Sequence, residues 1–295
     1  MKYKILALSV VGALLAGCGS DNGNSVPSTE AYSVMAYDPE VMGMKGSFSC
    51  DDGTTGTLAA TNYNGVSEVT DLTVLNSPDT CAFEFQATPG AVDVSNGKDM
   101  SKVSYKFPKG LAALGKTATA SPISTLLEKK LVGAPYTESA GSEIMADLGL
   151  DDLINTGVIT DITDFLLRTE EVISKLPASA ASRVLATNAV LSDVLVVSSD
   201  VSADKLAGAT KAIAKKVVEK YKNYPKTNAG DKTIFLDLTE DSALIEGAVK
   251  DPNNVGTLPP EKEANPVPEP KPDEGTTGGT GGGTGSGGSG GGTGV

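Results

Sequence analysis

"GLAALGKTATASPISTLLEKK", Gly110 to Lys130, carries two incompatible signals, and which one is obeyed decides the fold. Its first eight residues match the phosphate-loop pattern G-x-x-x-x-G-K-[ST], with Lys116 where it would reach a phosphate and Thr117 where it would hold Mg²⁺. A working phosphate loop follows a buried strand and opens directly into a helix whose amino terminus faces the phosphates. Here Thr117 is followed by "ATASP", and Pro122 disfavours helical geometry at Ser121. The helix is therefore expected to begin later, with Ser121 as its cap and Pro122 in its first turn. The stretch "TIFLD", ending at Asp237, has the look of an Mg²⁺-holding strand, but such strands are common and do not rescue the motif. No nucleotide is expected, and the quoted stretch becomes a joint between an extended region and a helical one.

Before the joint the apolar period is two. Met44, Gly46, Phe48 and Cys50 alternate with Lys45, Ser47 and Ser49; Cys81, Phe83 and Phe85 with Ala82, Glu84 and Gln86; Val103, Tyr105 and Phe107 with Ser104 and Lys106. Alternation of this kind marks half-buried strands. Asn64-Gly65 supplies a hairpin signal between "TLAATNY" and "VSEVTDLTVL". Cys50 and Cys81 fall in the phase of the inward aromatics, which suits a disulfide inside a small β domain over residues 43–108. A loop of roughly 30 residues closed this way is worth about 3 to 4 kcal/mol, useful where so short a segment must make its own core.

After the joint the period becomes helical through residue 250. In "DITDFLLRTEEVISKL" the residues Ile162, Phe165, Leu166, Val172, Ile173 and Leu176 share a face, with Asp161 available as a cap. "PASAASRVLATNAVLSDVLVVSS" is apolar nearly all round from Val184 to Val197 and reads as the central helix of a bundle. In "SADKLAGATKAIAKKVVEKYKNY" the seam is Leu206, Ala209, Ile213, Val217, Tyr221 and Tyr224, with Lys211, Lys215, Lys216, Lys220 and Lys222 mostly elsewhere and Pro225 as the stop. That lysine face suits either an acidic polymer or, more simply, solvent with a Lys215 to Glu219 pair.

The two ends differ in composition. "MKYKILALSVVGALLAGC" has Lys2 and Lys4, a short apolar run and small residues before Cys18, the plan of a secretory signal. "LAGC", Leu15 to Cys18, resembles the lipobox of bacterial lipoproteins. The resemblance implies removal of residues 1–17, a diacylglyceryl thioether on Cys18 and acylation of the new amino terminus, an anchor of several acyl chains. Gly19 in place of Asp points by the same resemblance to the outer membrane, with the protein periplasmic or surface-exposed. Residues 18–42 are expected to form a flexible tether, and 251–295, Pro-rich and then Gly-rich, a disordered tail.

The chain of 295 residues carries a net charge of −13 and no His, and loss of Lys2 and Lys4 with the signal takes the charge to −15. Such a surface opposes nucleic acid and anionic lipid. Without His there is no Ser-His-Asp or Cys-His catalysis and no His ligand for zinc, so neither metal nor other cofactor is expected. Ser202 to Lys205 spells S-x-x-K, but Ser20-Asp21-Asn22 lies out of order and no K-T-G follows, so Ser202 is read as a helix cap. Asp51-Asp52 and Asp151-Asp152 are carboxylate pairs without the spacing of a Ca²⁺ loop or the aromatic platforms of a sugar site.

"ATASPISTLLEKKLVG", followed by Leu148-Gly149-Leu150 in "IMADLGLDD", resembles a segment of bacterial cell-surface lipoproteins and exported adhesin-like proteins. In those a small β domain precedes a helical module. The matching residues are Ser121 to Leu126, and they carry no catalytic group. The expectation is an α+β protein: a disulfide-stapled antiparallel β domain, a helical bundle over residues 109–250 and a disordered tail. Its expected role is noncatalytic binding or scaffolding at the envelope, through a protein or glycan partner. The alternative is a structural spacer acting through the tail. A hydrolase would require a cleft lined by Asp or Lys with displaced pKa values.

Overall fold

The computed structural model describes residues 30–270; the expected signal peptide, Cys18 and residues 271–295 of the expected tail lie outside them. Strands come first: β1 (Tyr32–Ala36), β2 (Val41–Met42), β3 (Lys45–Cys50), β4 (Thr55–Leu58), β5 (Val66–Val69), β6 (Cys81–Gln86), β7 (Val92–Asp93), β8 (Tyr105–Phe107) and β9 (Ala118–Ala120). One short helix, α1 (Leu72–Asn76), interrupts them. Then follow α2 (Pro122–Leu131), α3 (Glu138–Asp147), α4 (Asp151–Asn155), α5 (Ile162–Leu167), α6 (Thr169–Ile173), α7 (Ala178–Val197) and α8 (Ala203–Lys220). The chain closes with β10 (Ile234–Phe235), α9 (Ser242–Lys250) and β11 (Lys262–Glu263). The architecture is mixed α+β.

An antiparallel sheet of order β4-β3-β6-β8 carries the inward phase read from the sequence. Its register sets Phe48 opposite Phe83, Cys50 opposite Cys81, and Phe83 and Phe85 opposite Phe107 and Tyr105. These residues are buried on one face, and Cys50 and Cys81 form a disulfide. Gly56 on β4 lies under the Phe48 ring, where a Cβ would come within 2.4 Å of it, so the ring can fold flat only over glycine.

A second sheet, β5-β1-β9, corrects two expectations. Asn64-Gly65 does form a turn, with Gly65 at φ 71°, but β4 pairs only with β3 while β5 pairs antiparallel with β1. The turn therefore connects two sheets rather than closing a hairpin. The strand β1 lies inside the span 18–42 expected to be a tether. It runs between β5 and β9 with Tyr32, Val34, Met35 and Ala36 buried, so it is a central strand of the fold.

The joint behaves as the proline rule requires. Lys116 and Thr117 precede the strand β9, and the helix starts only at Pro122. Ser121 caps α2 by accepting from the Ser124 amide, and Ser124 returns the bond by accepting from the Ser121 amide, a reciprocal box. The hydroxyls of Ser124 and Thr125 also close the free edge of β8: Ser124 Oγ donates to the Lys106 carbonyl at 2.6 Å, and the Lys106 amide donates to Thr125 Oγ1 at 2.8 Å. Edge groups that would otherwise invite another strand are thereby satisfied.

The helix α2 packs on β8 and β9 and also on α3, α7 and α8, so the residues expected as two domains share one core. The seam predicted for α8, Leu206 through Tyr224, is buried throughout. Gly149 of the Leu-Gly-Leu step takes φ 72° and ends α3, with Leu148 and Leu150 buried on either side. The helix expected across residues 161–176 is instead broken at Arg168 into α5 and α6. There the Thr169 hydroxyl, itself buried, donates to the Phe165 carbonyl, and Arg168 grips both Asp164 and Glu171.

Residues beyond 250 correct a further expectation, because residues 251–267 strap the body. Lys216 donates to the Val255 carbonyl and Tyr221 to Glu261. The strand β11 pairs with β10, and the amides of Asn265 and Val267 donate to the carbonyls of Asn96 and Val94. Val255 and Leu258 are buried beneath the strap.

Candidate functional site

Three places bring polar chemistry together. The first is buried where α7 meets the strands. Sequence reading treated α7 as apolar nearly all round, yet Asn188, Ser192 and Asp193 on it are all buried. Asn188 Nδ2 donates to Asp38 Oδ1 at 3.0 Å, and Tyr105 OH donates to Asp38 Oδ2 at 3.0 Å. Tyr105 OH also lies 3.0 Å from Ser192 Oγ. One turn on, Lys98 Nζ stands 2.6 Å from Asp193 Oδ1 and 3.3 Å from the Leu236 carbonyl, while the Leu238 amide donates to Asp193 Oδ2 at 2.8 Å. Asp93 accepts from the Ser95 amide and hydroxyl and from Asn96, forming the tight turn that holds Lys98.

Burial sets the protonation here. It raises the Asp38 carboxyl to about 7 and that of Asp93 to about 6, against the opposing pull of hydrogen bonds and of Lys98. It raises Asp193 as well, while Asp193 keeps Lys98 protonated despite the ammonium's own burial. Asp38, Asp93 and Lys98 line a cavity of about 30 Å³ together with Leu185, Tyr224 and Phe235. That is room for a water and for no substrate. The displaced pKa values that a hydrolase would need are thus present, beside a space of about one water's volume.

The second place is an open groove of about 420 Å³ between the β8 segment and the helices α2 and α7. Val103, Leu195 and Val196 give it an apolar floor, and Lys102, Lys106 and Lys129 stand along it with Glu128. Lys106 lies 3.9 Å from Glu84, whereas Lys129 Nζ donates to the Ser199 carbonyl at 2.7 Å, so among the described residues neither Lys102 nor Lys129 is paired with a carboxylate.

The third is a cleft of about 380 Å³ that holds the residues of the phosphate-loop look-alike. Gly115, Lys116 and Thr117 line it with Glu40, Arg168 and Glu170. Lys116 is paired with Asp164 at 3.1 Å, and no helix N-terminus follows Thr117, so the cradle a phosphate needs is missing. Burial and the facing Glu40 raise the Glu170 carboxyl.

The remaining sequence candidates stay apart from all three. Asp52 closes the turn after β3 by accepting from the Thr54 amide, and Asp51 pairs with Lys109 at 2.6 Å. Asp152 is held by Arg183, and Ser202 stands at the N-cap position of α8 without a side-chain capping bond, with Lys205 exposed. Asp237 accepts from Thr239 and pairs with Lys262 at 3.3 Å, far along the chain from any phosphate-binding element. Cys50 and Cys81 are a structural bridge. Among the described residues no three His, Cys, Asp or Glu side chains gather in a metal-holding group. Among the described residues one helix, α7, is long and apolar enough to cross a membrane, and it is packed against α2, α8 and α9.

No protein-family model matches this sequence, and neither the curated proteins nor the solved structures contain one significantly similar to it. The function must therefore be argued from the groove, the cleft and the buried cluster themselves.

Proposed function

We propose that the protein is a lipid-anchored component of the bacterial cell envelope, attached to the outer membrane through Cys18, and that it binds an acidic envelope partner, a protein segment or glycan, without chemistry on it. The observation that carries the binding role is the open groove: on a chain of net charge −13, Lys102, Lys106 and Lys129 converge on one apolar-floored channel. Like charges are placed together against their mutual repulsion where an opposite charge is to be met. The lipobox supports the address, and the Cys50–Cys81 bridge fits an oxidising compartment.

The test combines location and binding. Cys18→Ala should move the protein out of the membrane fraction, and protease shaving of intact cells reports the side it faces. Purified protein should bind acidic envelope polysaccharide or acidic peptide in a salt-dependent manner, and Lys102→Glu with Lys129→Glu should abolish that binding. Equal binding by the double variant refutes the groove as the contact surface.

A second reading, a spacer acting through its tail, draws on the strap. Because residues 262–267 are fixed to the body by backbone pairing, the tail that follows leaves from a defined point beside Val94 and Tyr63, whose hydroxyl donates to the Val267 carbonyl. Deleting residues 271–295 should then alter envelope mechanics or display while leaving groove binding intact.

A further inference from the structure

We propose that Lys98 and Asp193 become joined by an intramolecular amide bond, formed by the protein on itself with loss of one water. The two side chains meet from positions 95 residues apart, at 2.6 Å, with side-chain exposures of 8% and 1%. Neither can turn away. Lys98 is set by the Asp93 turn, in which Asn96 accepts from the Lys98 amide and the Asp93 amide donates to the Lys98 carbonyl. Asp193 sits in the middle of a twenty-residue helix. This is the fixed, water-excluded juxtaposition under which an intramolecular reaction gains most over its counterpart in solution.

The surroundings match the reaction. Nζ has a second acceptor in the Leu236 carbonyl, so one of its hydrogens is occupied there while another is directed to Asp193 Oδ1, which holds the nitrogen beside the carboxyl group. The other carboxyl oxygen, Oδ2, receives the Leu238 amide at 2.8 Å, a donor placed where negative charge develops in the tetrahedral intermediate. Asp38 shares with Lys98 the wall of the small cavity and, being buried, exchanges its proton near neutrality. The driving force is electrostatic. One ammonium and three carboxylates are buried together, and an amide removes an ion pair whose desolvation its attraction only partly offsets.

The steps balance without any oxidant or further reactant. Proton transfer along the Lys98–Asp193 hydrogen bond gives a neutral amine and a carboxylic acid. The amine lone pair attacks Cγ of Asp193, forming the N–C bond and placing the oxyanion at Oδ2. Asp38 as carboxylate takes the second amine proton through a water in the cavity it shares with Lys98 and returns it by the same route to the departing hydroxyl. The C–OH bond breaks, and water leaves into the cavity of about 30 Å³, whose volume suits it. The product is one secondary amide, and Asp38 is returned unchanged. This cross-link would tie the turn after β7 to the central helix α7, independently of what the groove binds.

The experiment uses the full chain, purified from membranes of expressing cells, reduced and digested with trypsin. An amide at Lys98 blocks cleavage there and joins residues 46–102 to residues 184–205 in one branched peptide, lighter by a water than the two separate peptides and giving fragment ions from both arms. Lys98→Arg should lack this species, and Asp38→Asn should form it about a hundredfold more slowly. Recovery from the wild type of residues 184–205 as a free peptide at full yield, with residues 46–98 released, overturns the proposal whether or not any variant folds. Branched peptide formed at the wild-type rate in Asp38→Asn overturns the part assigned to Asp38.

Discussion

Replacing Asp38 by Asn should flatten the dependence of stability on pH. The carboxyl is 5% exposed and titrates at about 7 in the folded protein against 3.8 as its ordinary value. An acid whose pKa is raised by folding binds more protons in the native state than in the unfolded one. Its contribution to stability is therefore complete below about pH 4 and is lost as pH rises through 7. Integrating the two titrations from about pH 5 to about pH 8 gives a loss of roughly 2 to 3 kcal/mol from this single group. The introduced amide mimics the protonated acid: its oxygen still accepts from Asn188, and its NH₂ donates to Tyr105 or Ser192, whose hydroxyls can turn to accept. The assay is urea unfolding followed by circular dichroism, or by tyrosine fluorescence, which the absence of Trp leaves unmasked. Wild type and variant are compared across that pH range with the disulfide intact. Asp93 is coupled to Asp38, so its raised pKa falls when that charge is gone, which flattens the variant's curve further; carboxylates outside the cluster contribute equally to both proteins. The same sign holds if Lys98 is consumed in an amide, since loss of its charge raises Asp38 further. Parallel curves would refute the reasoning.

Two further outcomes test the frame around the cluster. Cys50→Ala with Cys81→Ala removes a bridge with a sequence separation of 31 and should cost about 3 to 4 kcal/mol, a fall in Tm of about 7 to 15 °C by scanning calorimetry. An unchanged Tm would mean that the paired β3 and β6 already confine the unfolded chain. Ser124→Ala strips the Lys106 carbonyl and the Ser121 amide of their partner at once and should destabilise by about 1 to 3 kcal/mol in urea titrations, whereas Ser139→Ala, on the exposed face of α3, should change almost nothing.

How much of this was legible depends on where each residue keeps its hydrogen bonds. Half-buried strands announce themselves, so the phase of Phe48, Cys50, Phe83, Phe85, Tyr105 and Phe107 could be read directly. A strand buried on both faces has no alternation to show, which is why β1, with Val34, Met35 and Ala36 all covered, passed for a tether. The strap over residues 251–267 was hidden because its last part is held by backbone bonds to Asn96, Val94 and β10, which composition does not record, and its first part by Lys216 and Tyr221 from a helix some 40 residues back in the chain. The start of α2 was legible from Ser121-Pro122, while the second duty of Ser124 and Thr125, closing the edge of β8, depends on a strand far back in the chain. The buried cluster had one signal that was passed over. Asn188, Ser192 and Asp193 stand at spacings of four and five in a helix otherwise apolar, so the polar side they share had to be answered by something.

That polar side explains why an apolar helix needs polar residues at all. Contacts among Val184, Val190, Leu191 and Val194 would be nearly as good if α7 slid along its axis by one turn, about 5.4 Å, because the stripe would meet similar side chains again. The polar partners forbid it. At any other axial position Asp193 loses Lys98 and the Leu238 amide, and Asn188 and Ser192 lose Asp38 and Tyr105, leaving several buried groups unpaired at about 1 to 3 kcal/mol each or more for the charges. The cluster therefore fixes the height of α7 against the strands. Because Ser192, Leu195 and Val196 on that helix also line the lysine groove, the same bonds fix the groove's floor relative to Lys102 and Lys106. A surface that recognises its partner by charge position needs that constancy, and an amide at Lys98 would make it permanent.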